Sequence, residues 1–205
     1  MTTEQQFTGL KVGQTVPDFE MDTYDPAEYY FGKISFEQLK KEKKWTILFF
    51  YPADFTFVWA TEFAALARQY EKFKSLGAEV VTVSTDTQFV HLAWKREEKS
   101  LENVKFQMAA DPNGKVSKLF GVYDENTGLA LRRTFIINPE GILLNAEVNF
   151  YNLGRNVDEL LRKLKANIYL AAHENEGCPV QWKNEGDKTL KPSEYLVGNV
   201  FEALE

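Results

Sequence analysis

Residues 49–63 read FFYPADFTFVWATEF, an apolar run that passes a proline and enters a helical pattern. Many enzymes hold a nucleophile on such a turn, where the first amides of a helix favour negative charge. Here the residue on the turn is Trp59, whose indole offers an N–H donor and no lone pair free for displacement. The single thiol, Cys178, stands in the context GCPVQW within a polar arm, which argues for an exposed sulfur. At an ordinary pKa near ~8.5 only a few per cent of it would be thiolate at neutral pH, and no basic neighbour offers activation. His91 and His173 lie far apart and read as plain helix residues. With one distant cysteine they give no metal-ligand spacing. Asp54 and Glu62 are not spaced as a paired acid and base. No Gly-rich phosphate loop or nucleophile-elbow motif is present, so no cofactor and no metal is expected.

The elements that must position these residues follow from hydrophobic patterning. WTILFFY, residues 45–51, is apolar throughout and reads as a central strand buried on both faces. The turn PADFTF leads into a helix with Phe63, Leu66, Ala67, Tyr70 and Phe73 at helical spacing, stopped by Gly77. AEVVTVS is a second buried strand. The helix after it is capped by Asp86 or Thr87, with Phe89, Val90 and Ala93 expected to face inward. AADPNGKVSKLFGV reads as a turn and a short helix, and TYDPAEYYFGK as a surface loop leading into a short helix. RRTFIIN and ILLNAEVNF pair as a hairpin across PEG. A long amphipathic helix, NVDELLRKLKANIYLAAH, is capped by Asn156 with Asp158 and Glu159 in its first turn. From about Glu174 the chain is polar and proline-punctuated. Strands alternating with helices, then an antiparallel hairpin and a last helix, predict an α/β thioredoxin-like fold. It has a mixed central sheet, flanking helices and a C-terminal arm. The expected domains are residues 1–173 and an arm, 174–205, that carries Cys178.

Composition narrows the partners. The chain has 205 residues, 44% hydrophobic and 26% charged, an ordinary globular balance. Its formal charge of −6 disfavours nucleic acid and anionic lipid. No apolar run nears the ~20 residues of a membrane helix. The polar start MTTEQQFTGLKVGQ lacks the pattern of a secretory signal, so a cytoplasmic location is expected, in keeping with one cysteine.

FYPADFTFV followed by TE, then VSTDT, RRTFIINPEG, GRNVDELLRKLKA and GCPVQWK, occur in this order. Together they resemble a typical two-cysteine peroxiredoxin, most closely the bacterial alkyl hydroperoxide reductase C subgroup. The resemblance runs from about Gly13 to Gly198. The family pattern P-x-x-x-T-x-x-C places Pro52 and Thr56 in register and puts Trp59 at the peroxidatic cysteine position. Ala60 replaces the usual next proline, while Thr61 and Glu62 are kept. Arg132 falls on the active-site arginine and Cys178 on the resolving cysteine.

The resemblance implies a thiolate that attacks the O–O bond of a hydroperoxide, becomes a sulfenic acid and condenses with the resolving thiol of a second copy of the chain. It implies a homodimer that assembles into a ring, a decamer in this subgroup. In an active parent a thioredoxin-like or flavoprotein disulfide reductase would be the reductant. Thr56 could still polarise a peroxide, Arg132 could offset developing charge, and Glu62 could orient Arg132 or cap the helix. Nothing at position 59 can attack. Tryptophan is far larger than cysteine, and overpacking costs ~1–3 kcal/mol. An opened or rearranged turn is therefore expected. Three readings follow. The chain is a peroxidase whose cysteine was replaced in an engineered or selected variant, although Ala60 is a second departure. Alternatively it is a natural non-catalytic relative with a structural, chaperone-like or regulatory role. In the third, a disulfide reductase works through Cys178.

Overall fold

The computed structural model describes residues 9–149 and 153–205. The polar N-terminal residues 1–8 and Phe150, the expected end of the last strand, lie outside the described residues. The chain divides into two compact units, up to Arg155 and from Asn156 onward. The arm 174–205 falls within the second, with the helix that precedes it.

In the first unit, the apolar run becomes β3 (Trp45–Phe50), buried at every position as two-faced burial requires. It pairs in parallel with β4 (Ala78–Ser84) on one side and antiparallel with β8 (Arg133–Ile137) on the other. β8 continues into β9 (Leu143–Val148) across the expected hairpin. β4 pairs in parallel with β5 (Gln107–Ala110). The stretch expected to be a surface loop instead forms a hairpin of β1 (Glu20–Asp25) and β2 (Tyr30–Ser35). Met21 and Tyr24 of β1 are buried, and that apolar face outweighs the turn-like composition around Pro26. The sheet order is β2-β1-β5-β4-β3-β8-β9, and a two-stranded ribbon of β6 (Tyr123–Asp124) and β7 (Leu129–Ala130) stands apart from it.

Strand alternation sends residues to opposite faces. Leu48, Phe50, Val81 and Val83 join a core with Phe36 and Leu39 of α1 (Phe36–Lys41) and Val116 of α4 (Lys115–Leu119). On the other face, α2 (Phe57–Ser75) and α3 (Gln88–Glu97) meet through Phe63 and Trp94, whose ring centroids are 5.0 Å apart. The inward face of α3 is His91 and Trp94, while Phe89 is 61% exposed. A cap at Thr87 rotates Phe89 away from the sheet.

In the second unit, Asn156 caps α5 (Val157–Ala172) by accepting from the amides of Asp158 and Glu159 at 3.0 and 3.1 Å. The arm ends in a short helix, α6 (Val200–Leu204). No helix among the described residues is long and apolar enough to cross a membrane.

Candidate active site

The turn between β3 and α2 carries the residues of interest. Pro52 follows the last strand residues and is half-buried. Phe55 takes a left-handed conformation, φ 58°, which is uncommon for a bulky residue. Thr56 is the N-cap of α2, with extended backbone angles of −114° and 158°. Its hydroxyl donates to the carbonyl of Ala53 at 3.0 Å instead of capping the helix, which leaves its oxygen lone pairs able to accept. The first turn of α2 contains no acidic residue, so its amide dipoles are not offset from within the helix.

Trp59 is the third residue of α2 and is 4% exposed, two positions from Phe57 at 95%. The turn expected to open around it is closed and the helix is intact. The indole is accommodated by charge and rings together. The Arg132 guanidinium carbon sits 3.6 Å from the centroid of its ring, and Tyr51 lies 6.0 Å away, centroid to centroid. A buried guanidinium over an indole face is a favourable pair, which the volume argument alone leaves out.

Arg132 is buried, against the ordinary expectation for one of two adjacent arginines. Its Nη1 donates to the carbonyl of Leu153 at 2.7 Å and lies 3.9 Å from Glu62 Oε1. Its Nε finds no acceptor among the described residues. Burial lowers the guanidinium pKa, and the Glu62 carboxylate opposes that shift.

Glu62, one turn along α2, is buried and is the anchor of a second arginine that sequence reasoning did not single out. Arg155 donates Nη2 to Glu62 Oε2 at 2.8 Å, Nε to Oε1 at 3.3 Å and its backbone amide to Oε1 at 2.6 Å. Its Nη1 reaches the carbonyls of Phe50 and Arg133 and the hydroxyl of Thr134. Burial pulls the Arg155 pKa down to about 10, with Glu62 working against it. The motif GRNVDELL contains this arginine, but its sequence distance from Glu62 hides the pairing. Glu62 is thus the buried counter-ion of Arg155, with Arg132 at the edge of the same carboxylate; it does not cap α2.

His91 is also more than a plain helix residue. It is fully buried, with Nδ1 2.7 Å from Asp54 Oδ2 on the active turn. Cys178 belongs to the second unit and is half-buried rather than exposed. Burial pushes its thiol pKa up, with Arg162 opposing and Glu176 reinforcing the shift. Among the described residues no group of histidine, cysteine and acidic side chains is placed to hold a metal.

The mixed sheet and this strand–turn–helix site, closed beneath by a Glu–Arg pair, define a thioredoxin-like protein of the peroxiredoxin class. The AhpC/TSA family pattern matches residues 12–146, and the chain belongs to that family. It is 41% identical over 189 residues to alkyl hydroperoxide reductase C of Staphylococcus saprophyticus, covering 92% of this chain and 98% of the relative. It is 44% identical over 189 residues to alkyl hydroperoxide reductase C of Escherichia coli K12, with the same coverage. Among solved structures, AhpC of Enterococcus faecalis matches with a TM-score of 0.77 at 41% identity, over 82% of this chain and 98% of that one. The reduced 2-Cys peroxiredoxin of Plasmodium vivax matches with a TM-score of 0.86 at 30% identity, over 94% and 99%. Family membership supports peroxide reduction as the chemistry of the fold.

Proposed function

We propose that this chain carries the scaffold of a thiol-dependent peroxidase for hydrogen peroxide and alkyl hydroperoxides, and that it does not turn these over as written. The observation that carries the reading is Trp59, buried in the first turn of α2 with Arg132 against its face. Pro52, Thr56, Glu62 and Arg132 keep the surroundings of a peroxidatic thiolate. The helix N-terminus and the arginine would favour that thiolate, and Thr56 would position the peroxide. The nucleophile itself is lacking, and Cys178, at the resolving position of the 174–205 arm, has its thiol pKa raised by burial.

The test is peroxide consumption with a dithiol reductant by the chain and by its Trp59→Cys variant. Turnover in the variant alone supports the reading. Turnover by the chain itself would overturn it. No turnover in either favours the alternative, a non-catalytic relative with a structural, chaperone-like or regulatory role. The snug seating of Trp59 on Arg132 supports that alternative, and the residue encoded at position 59 in the native gene separates the two. In both readings the chain forms a homodimer that assembles into a ring. The exposed aromatic side chains of Phe55 and Phe57 on the turn support this assembly. Sedimentation of Phe57→Asp against the unchanged chain tests it.

A further inference from the structure

The active turn is tied to the sheet by a buried polar chain that peroxide chemistry does not require. The Tyr51 hydroxyl donates to Asp54 Oδ1 at 2.6 Å, and His91 Nδ1 lies 2.7 Å from Asp54 Oδ2. His91 Nε2 lies 3.2 Å from the carbonyl oxygen of Ala109 in β5. The Asp54 amide donates to Asp86 Oδ2 at 2.8 Å, which also accepts from the Ser84 hydroxyl at 2.8 Å. The side chains of Asp54 and His91 are fully buried.

With Asp54 as a carboxylate, both ring nitrogens of His91 face oxygens that accept. A neutral imidazole carries one N–H and can satisfy one of them; the imidazolium satisfies both. The Tyr51 hydroxyl oxygen, 3.5 Å from Nδ1, is already donating its proton to Asp54. Burial, and then the Asp54 charge, push the Tyr51 phenol pKa well above its ordinary value, so it remains a donor. An ionised Asp54 between two donors, one of them cationic, meets the condition for a buried charge to be stable. The turn needs such a hold, because Phe55 adopts a left-handed backbone that persists only where its surroundings over-determine it.

We propose that His91 is a positioning residue for the active turn: its imidazolium bridges Asp54 to the Ala109 carbonyl and so fixes residues 52–56 and the first turn of α2. The titratable groups that face it are Asp54 and Tyr51, with Asp86 one hydrogen bond further along.

The first experiment is 15N NMR of the His91 ring in the intact chain at neutral pH. Both nitrogens protonated is the expected result; a single neutral tautomer overturns the proposal. The second is hydrogen exchange of amides 54–59 in the chain and in His91→Gln, which keeps a donor but no charge. Exchange there should speed about tenfold to a hundredfold, the loss of one charge-assisted bond, with β3 and β8 protection unchanged. Uniform acceleration across the first unit, or none, counts against it. Neither measurement needs peroxidase activity, so failure of the functional reading leaves this test intact.

Discussion

The Arg132 guanidinium sits over the ring of Trp59, its carbon 3.6 Å from the ring centroid, with both side chains almost wholly buried. In a dry site a cation–π pair of this kind contributes about 2 kcal/mol or more. The indole therefore acts as packing for a cation that lacks an acceptor at Nε among the described residues.

Truncating it tests that role. Trp59→Ala should lower unfolding stability by about 3–5 kcal/mol, the usual cost of deleting a buried tryptophan. Urea unfolding read by far-UV circular dichroism measures it. Unchanged or raised stability would mean that the indole overpacks the turn, as its volume alone suggests.

Glu62 bears the charge balance of the site. Removing one partner of a buried ion pair leaves an uncompensated charge and costs about 3–5 kcal/mol. Glu62→Gln leaves both Arg155 and Arg132 in that state and should show a loss of this size in denaturant midpoint. Arg155→Met should cost less, because Arg132, 3.9 Å from Glu62, can move to take up the carboxylate. Equal losses in the two variants would place Arg132 outside the pair.

The strands and helices around the site were legible because β3 and β4 are continuous apolar runs and α2 and α5 keep a helical period. Pro52, Thr56, Trp59 and Glu62 stand together in one short motif, so local order alone gathers them. Arg155 was not legible, since its pairing with Glu62 joins residues distant in sequence. The same holds for His91, whose partner Asp54 lies across an intervening helix and strand. The β1–β2 hairpin was hidden by Pro26 and a run of tyrosines, which read as loop until the buried side of β1 is known. The closed turn does not follow from side-chain volume, because volume alone leaves out the cation that receives the ring.

The thiol of Cys178 should be a slow nucleophile. Burial lifts its pKa above the ordinary thiol value and outweighs the opposing charge of Arg162. Alkylation by iodoacetamide at neutral pH should run below the rate of an unperturbed cysteine and climb with pH. Arg162→Gln should slow it further and Glu176→Gln should speed it. A rate at or above that of free cysteine would show an activated thiol and revive a reductase role.

Glu176 gives the arm an acid limit. Its Oε2 accepts from the Thr189 hydroxyl at 2.5 Å and from the Tyr169 hydroxyl at 2.7 Å, and Lys191 lies 3.3 Å from Oε1. Thr189 and then Tyr169 hold the carboxyl at about 2, against an ordinary 4.5. The folded value lies below the unfolded one, so deprotonation favours the folded arm. The contribution is complete above the ordinary value and is lost as pH falls through about 2. Carboxyl 13C NMR should show Glu176 titrating near the lower value. The paired amides of Gly177 and Leu190, bonded to each other's carbonyls at 2.7 and 3.0 Å, should lose exchange protection over the same acid range. In Glu176→Gln that acid-dependent loss should vanish, because the amide has no proton to gain. Titration of Glu176 at its ordinary value would mean that Thr189 and Tyr169 do not hold the carboxylate in solution.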